Sequence, residues 1–273
     1  MPLVTVILPT WNRVKWLKSS VESVLGQTFK DYELVVVDDG STDSTSEFLK
    51  NYSGRIRSII FDSNLGVSKA RNEAIINSNS EWIAFLDSDD YWHPNKLQKQ
   101  IDQINIYSEC PIHFTDEIWI RNGVRVNPKK KHQKKEGWIF QPSLELCIIS
   151  PSSVLLKREL MEYHGMFDET LPVCEDYDLW LRLTFRYKVS FLNQKLMTRH
   201  GGHVDQLSKS DWGFDRYRIK SIINLLDREN LLHKDTIEAK KVLRKKCKIL
   251  ANGFKKRGKT KEAEYYEEIF NLY

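Results

Sequence analysis

Leu34-Val35-Val36-Val37-Asp38-Asp39-Gly40-Ser41-Thr42-Asp43 decides the architecture of this chain. Four apolar residues run without alternation, three of them β-branched, which is the pattern of a strand buried on both faces. The run stops in acids, a glycine and hydroxyls, a turn that also caps a helix over Ser44 to Lys50. Working outward, the same unit recurs. Val4 to Leu8 reads as a buried strand, and Val14 to Leu25 follows with Val14, Leu17, Val21, Val24 and Leu25 at helical spacing. Ile56 to Phe61 is a third strand, after which Asn64-Leu65-Gly66 turns into a helix from Val67 to Asn77. Trp82 to Leu86 is a fourth strand and ends in Asp87-Ser88-Asp89-Asp90. Strands that are apolar throughout and alternate with helices predict an α/β fold, a mostly parallel central sheet with helices on both faces.

The middle of the chain is less regular. Asn95 to Tyr107 reads as a helix with Pro94 before its first turn. His113 to Ile120 and Val124 to Val126, joined through Asn122-Gly123, read as a hairpin. Residues 127–137 are polar and basic and read as a mobile loop. Glu175 to Arg186 is a helix with Leu179, Trp180, Leu183 and the Arg182 stem toward the core, and Val189 to Leu192 and Leu196 to His200 are two short strands. From Asp211 the pattern is helical and amphipathic, a C-terminal helical appendage.

At 273 residues, 41% hydrophobic and 29% charged, the chain suits one large α/β domain with an appendage, or two small domains. No segment reaches the roughly 18 apolar residues that cross a bilayer. Met1-Pro2-Leu3-Val4-Thr5 has no basic leader of a secretory signal. Cys110, Cys147, Cys174 and Cys247 are far apart and form no CxxC pair, which argues against a zinc site or a disulfide framework. A cytoplasmic location is the expectation. The net charge of +5 is gathered in two clusters, Lys129 to Lys135 and Lys240 to Arg257. Each reads either as solvated surface or as a face for phosphates, at the inner face of a membrane for instance. No aromatic or helical recognition motif accompanies them, so nucleic acid is not an expected partner.

Ligands of a doubly wound sheet bind outside the carboxyl ends of its strands. Thr10 and Asn12 follow the first strand, Asp38 and Asp39 the second, and Asp87, Asp89 and Asp90 the fourth. Asp87-Ser88-Asp89 places two carboxylates one residue apart on a turn, a donor pair for a hard divalent cation whose open positions substrate phosphates would fill. The competing reading is that these acids only cap the helix after Pro94. Asp39 has the same two readings, as acceptor for a base or ribose or as a turn residue. No GxGxxG follows the first strand and no GxxxxGK[ST] occurs, so phosphates are left to a metal and to basic side chains such as Arg71.

The ordered set of motifs resembles the family 2 glycosyltransferases, which have the GT-A fold. The resemblance runs through Val6-Ile7-Leu8-Pro9-Thr10-Trp11-Asn12-Arg13, Ser23 to Thr28, Leu34 to Asp43, Asn64-Leu65-Gly66-Val67-Ser68-Lys69-Ala70-Arg71-Asn72, Phe85 to Asp90 and Glu175-Asp176-Tyr177-Asp178. It covers roughly residues 3–200 and leaves out 127–137 and 211–273. It implies a GT-A domain over 1–205, with a nucleotide-sugar half to about residue 110 and an acceptor half beyond, and a helical extension over 206–273. It further implies an inverting, metal-dependent transfer of a hexosyl group from a nucleoside-diphosphate sugar, usually UDP-linked, to an acceptor hydroxyl. The family's usual products are cell-surface polysaccharides and lipid-linked saccharides.

By that resemblance Pro9, Thr10 and Asp39 line the nucleoside pocket, with Asn12, Arg71 and Asp87 at the nucleotide sugar. Asp89 and Asp87 hold Mn²⁺ or Mg²⁺, and Asp176 is the catalytic base. Arg199-His200-Gly201-Gly202-His203 supplies a histidine near the metal, either His200 or His203, with His200 the first choice. Apart from the resemblance, Glu175-Asp176-Tyr177-Asp178 reads as an acidic first helical turn favoured by the helix dipole. Two other functions remain: a domain that binds a nucleotide sugar without transferring it, and a nucleotidyltransferase that makes one. The intact acidic set argues against the first. Pro9-Thr10-Trp11-Asn12, where the second would carry a basic glycine-rich loop, argues against it. Trp119, Trp138 and Trp212 serve either as sugar-stacking surfaces or as packing.

Overall fold

The computed structural model describes residues 1–203 and 212–273. Its first strands lie where the apolar runs are. β1 (Val4–Thr10), β2 (Tyr32–Asp38), β3 (Arg57–Ile60) and β4 (Trp82–Phe85) pair in parallel, with Val6 opposite Leu34 and Ile7 opposite Phe85. The helices α1 (Val14–Leu25), α2 (Thr45–Lys50) and α3 (Val67–Ile76) lie between them and supply the crossovers that parallel pairing requires. Successive residues of a strand point to opposite faces. Ile7, Val35, Val37, Ile83 and Phe85 therefore pack with Ala70 and Ala74 of α3, while Val6, Leu8, Val36 and Ala84 pack with Leu17, Val21 and Val24 of α1. Burial on both faces is the reason the runs do not alternate.

Beyond β4 the sheet becomes mixed. The further elements are β5 (Tyr91–Trp92), α4 (Lys96–Ile106), β6 (Ile112–Arg121), β7 (Val124–Val126), α5 (Phe140–Glu145), β8 (Val154–Lys157), α6 (Glu159–His164), α7 (Glu175–Thr184) and β9 (Ser190–Gly201). Among the described residues the strand order is β3-β2-β1-β4-β8-β6-β9-β5, with β7 paired to β6. β8 is antiparallel to both β4 and β6, β9 runs parallel to β6, and β5 is antiparallel to β9. β1 to β4 thus form the expected parallel sheet, and the later strands extend it in mixed directions.

Two local expectations change, and a third gains detail. The two short strands after residue 189 are one strand, β9, whose register against β6 shifts on either side of Asp116. The exposed Asn193, Gln194 and Lys195 looked like a turn because the irregularity there needs no apolar residue. Within 127–137, a stretch mostly exposed, the Lys134 side chain is buried, donates to the Thr115 carbonyl at 2.9 Å and pairs with Glu117 at 3.2 Å. The Arg182 guanidinium ends on the carbonyls of His164, Gly165 and Met166 and on Asp178, so its head is satisfied as well as its stem.

The C-terminal helices are α8 (Asp215–Arg228), α9 (His233–Lys255) and α10 (Thr260–Leu272). The expected domain boundary at 205/206 and the helix onset at Asp211 lie outside the described residues. These helices share a core with the preceding domain: Ile219, Ile222, Leu243, Cys247 and Phe254 cluster with Phe140 of α5 and with Tyr177 and Leu181 of α7. Among the described residues no helix is long and apolar enough to cross a membrane. All four cysteines are free thiols.

Candidate functional site

β1, β2 and β4 end side by side, and the turns after them meet. Asn12 has φ +52°, a left-handed conformation that asparagine tolerates better than most side chains. From there its Oδ1 accepts from the amides of Thr42 and Asp43 at 2.7 and 3.2 Å, and its own amide donates to Ser41 Oγ at 2.8 Å. Asn12 thus ties the loop after β1 to the loop after β2. Pro9 and Thr10 are buried at the end of β1.

Asp39 faces the loop before α3. Its Oδ1 accepts from the Leu65 amide at 2.6 Å, and its Oδ2 accepts from the Gly66 amide at 2.9 Å and from Asn64 Nδ2 at 3.0 Å. Burial raises the Asp39 pKa, and the two amides oppose that rise. Gly40 makes the approach possible. Its φ is +70°, and a Cβ there would lie 2.3 Å from the Ser63 carbonyl carbon. No side chain fits that gap.

Arg71 on α3 is buried and points at the fourth strand end. Its Nη2 donates to Asp87 Oδ1 at 2.7 Å and its Nη1 to Glu175 Oε1 at 2.6 Å, with the guanidinium over the Phe167 ring at 5.0 Å. One arginine therefore connects the acidic turn after β4 with the first turn of α7. Burial pushes Glu175 up to about 7, against the pull of Arg71. Asp90 is buried, accepting from Ser152 Oγ at 2.7 Å and from the His200 amide at 2.9 Å. Burial, then the charges of Asp89 and Asp87, raise its pKa well above the carboxylate range.

Asp89 Oδ2 lies 2.8 Å from His203 Nε2 and 3.7 Å from Arg13 Nη1. His200 instead turns its Nδ1 to the carbonyl of Asp89 at 2.9 Å, with its ring against Trp16 and Tyr91. Asp89 is thus brought together with His203, and His200 meets only its backbone. Asp89 and His203 offer one oxygen and one nitrogen donor, a set that suits a divalent cation completed by phosphate oxygens and water. Among the described residues no three such donors form a group.

Asp176 sits in the first turn of α7. Its Oδ1 accepts from the Tyr177 amide at 2.7 Å, and its Oδ2 accepts from the Cys147 thiol at 3.3 Å. Cys174, just before the helix, has φ +65°, a left-handed conformation unusual for a residue other than glycine. Arg199 on β9 faces the same cleft. Crowding by the cleft walls would lower its pKa, but the carboxylates of Glu117, Asp90, Asp87 and Asp176 outweigh that and raise it. Its guanidinium lies in the field of the acidic turn and of Asp176.

The sequence marks Asp90 only as one of the acids after β4, and nothing in it sets Glu175 or Arg199 apart from capping acids and solvated strand residues. The partner of Arg71 lies 104 positions away. Only the position of Glu175 immediately before Asp176 hinted at a role. Of the tryptophans, Trp119 donates its indole N–H to Glu117 at 2.7 Å, while Trp138 and Trp212 are largely exposed.

Residues 5–162 match Glycosyl transferase family 2. TuaG of Bacillus subtilis, assigned to teichuronic acid biosynthesis, is 33% identical over 215 residues, covering 77% of this chain and 83% of TuaG. The chain spans 67% and 63% of the length of two Rickettsia glycosyltransferases that it matches, and 31% and 35% of two others. The fold superposes on Staphylococcus aureus TarS 1-349 in complex with UDP at a TM-score of 0.69 and 21% identity, over 92% of this chain and 72% of that one. It superposes on the mannosyltransferase PcManGT of Pyrobaculum calidifontis, in complex with GDP-Man and Mn²⁺, at a TM-score of 0.67 and 17% identity, over 97% and 74%.

Proposed function

Since the chain belongs to glycosyl transferase family 2, we propose that it transfers a hexosyl group from a nucleoside-diphosphate sugar to an acceptor hydroxyl, with inversion at the anomeric carbon. The observation that carries this reading is the Arg71 bridge. It joins Asp87, on the nucleotide side of the cleft, to the helix turn that holds Asp176, and so fixes donor and base relative to each other. The donor is a UDP-sugar and the acceptor a saccharide of the cell surface. TuaG supports this by its assignment and TarS by its UDP complex.

Pro9, Thr10, Asn12 and Asp39 hold the nucleoside between the braced turns after β1 and β2. Asp89 and His203, with Asp87 beside them, would hold Mn²⁺ or Mg²⁺; His200 supports Asp89 from its backbone side. The bound cation would neutralise charge on the departing diphosphate. Asp176 accepts the proton of the attacking hydroxyl. The Tyr177 amide and the Cys147 thiol each donate to it and hold its carboxylate in place on the first turn of α7. General base catalysis of this kind contributes about 10² to 10⁴ in rate. Arg199 lies where negative charge must be balanced between acceptor and leaving group.

Thermal unfolding with a panel of nucleotide sugars tests the reading, because a ligand of the folded state raises Tm. UDP with Mn²⁺ should raise Tm, and Asp89→Ala and His203→Ala should each remove most of that rise. Equal shifts with and without EDTA would refute the metal assignment, and no shift with any pyrimidine nucleotide would refute the donor class.

A further inference from the structure

The α9 helix buries Ala239, Leu243, Cys247, Ala251 and Phe254 against the rest of the chain. Its opposite side carries Lys234, Lys241, Lys245 and Lys248 at steps of seven, four and three residues, with Lys256 eight residues further on; all five are exposed. These steps keep the side chains on one face of a helix. From first to last the stripe extends about 33 Å at the rise of an α-helix. Ile237 and Ile249 flank it at opposite edges, 50% and 54% exposed. Lys241 pairs with Glu238 at 3.1 Å and Lys245 with Glu145 at 2.8 Å, both pairs open to solvent and therefore weak competitors for an external anion. In the other basic cluster, by contrast, Lys134 is turned inward onto Glu117.

The stripe borders the catalytic cleft. Glu145, the partner of Lys245, ends α5, and two residues later Cys147 donates to Asp176. A surface lying on α9 would therefore adjoin the wall that carries the acceptor-side carboxylate.

We propose that this stripe is a docking face for an anionic bilayer, with Lys241, Lys245 and Lys248 meeting lipid phosphates and Ile237 and Ile249 entering the headgroup region. A row of lysines alone would suit any polyanion. The two exposed isoleucines favour a bilayer, because a soluble polyanion offers an apolar side chain no place to be buried. Each lysine near an anionic membrane strengthens binding about fivefold, and the gain is screened by salt.

Sedimentation of the full chain with vesicles of phosphatidylcholine, alone or mixed with phosphatidylglycerol, tests the proposal at low and high salt. Binding is expected only with phosphatidylglycerol and only at low salt. The variant K241Q/K245Q/K248Q should bind about 100-fold more weakly. The variant I237S/I249S should also bind more weakly, while K129Q/K130Q/K131Q should bind as the natural chain does. Circular dichroism and Tm establish that each variant is folded. Equal binding to neutral and mixed vesicles, or unchanged binding by the triple α9 variant, would overturn the proposal. So would an unaffected isoleucine variant together with equally tight binding of heparin, which would make the stripe a face for soluble polyanions.

Discussion

Replacing Arg71 by methionine keeps an unbranched apolar stem and removes the guanidinium and its charge. Asp87, 33% exposed, can turn to water, but Glu175, 6% exposed, loses the cation it is buried against. Removing one partner from a buried pair costs about 3–5 kcal/mol, because the other charge is left desolvated. That is a large share of the about 5–15 kcal/mol that holds a domain together, and it corresponds to a Tm lower by roughly 6–20 °C. The defect has a pH signature. A carboxyl whose folded pKa is raised above its unfolded value stabilises fully at low pH and stops doing so as pH rises through the folded value. Burial has already pushed Glu175 up to about 7, and losing Arg71 raises it further. The defect should therefore be larger at pH 8 than at pH 5 by up to about 1.4 kcal/mol, the worth of the one unit that separates pH 8 from a folded value of about 7. Adding Glu175→Gln removes the orphaned charge, so the double variant should recover more than half of the loss. Urea unfolding of the four proteins at both pH values gives the coupling energy directly. An Arg71→Met variant within about 1 kcal/mol of the natural chain at pH 8, or a double variant less stable than the single one, would refute the reasoning.

Asp176→Asn should lower turnover by about 10² to 10⁴ while UDP binding stays near normal, since the amide keeps its shape but takes no proton; UDP release within threefold of the natural chain would remove Asp176 from the role of base. Gly40→Ala should lose both stability and UDP binding, because its Cβ would meet backbone at 2.3–2.7 Å in a left-handed conformation; unchanged UDP affinity would show that the loop at 63–66 adapts. Burial holds His113 at about 4, below the ~6.5 of an unfolded histidine, so its contribution to stability is full above pH 6.5 and is lost as pH falls toward 4. His113→Phe should gain about 2–3 kcal/mol on the natural chain between pH 7 and pH 4.5 in urea unfolding; parallel losses in the two proteins would refute this.

The parallel half of the fold was legible because burial on both faces leaves a local trace. Four-residue runs such as Leu34 to Val37 admit no other reading once acids and glycine end them. The positions of Asp39, Asp87 and Asp89 followed, since strand ends share an edge. What stayed hidden was set by contacts distant in sequence. Nothing near Lys134 announces Glu117, and nothing near Arg71 announces Glu175. The pair His200 and His203 could not be resolved either, because which ring reaches Asp89 depends on how β9 leaves the sheet. The bulge opposite Asp116 was read as a break because its exposed residues have turn composition.

The α7 helix is gripped from two sides. Leu179, Trp180 and Leu183 belong to the core beneath the sheet, whereas Tyr177 and Leu181 belong to the core built with α8, α9 and α10. A cylinder held along two lines of its circumference cannot roll, so the bearing of Asp176 is set jointly by strands near the start of the chain and helices near its end. Exchange of the C-terminal helices between relatives would therefore have to carry the outward faces of α5 and α7 with it. A chimera cut between the sheet and α8 would leave Tyr177 and Leu181 facing foreign partners, and the carboxylate would be re-aimed with them.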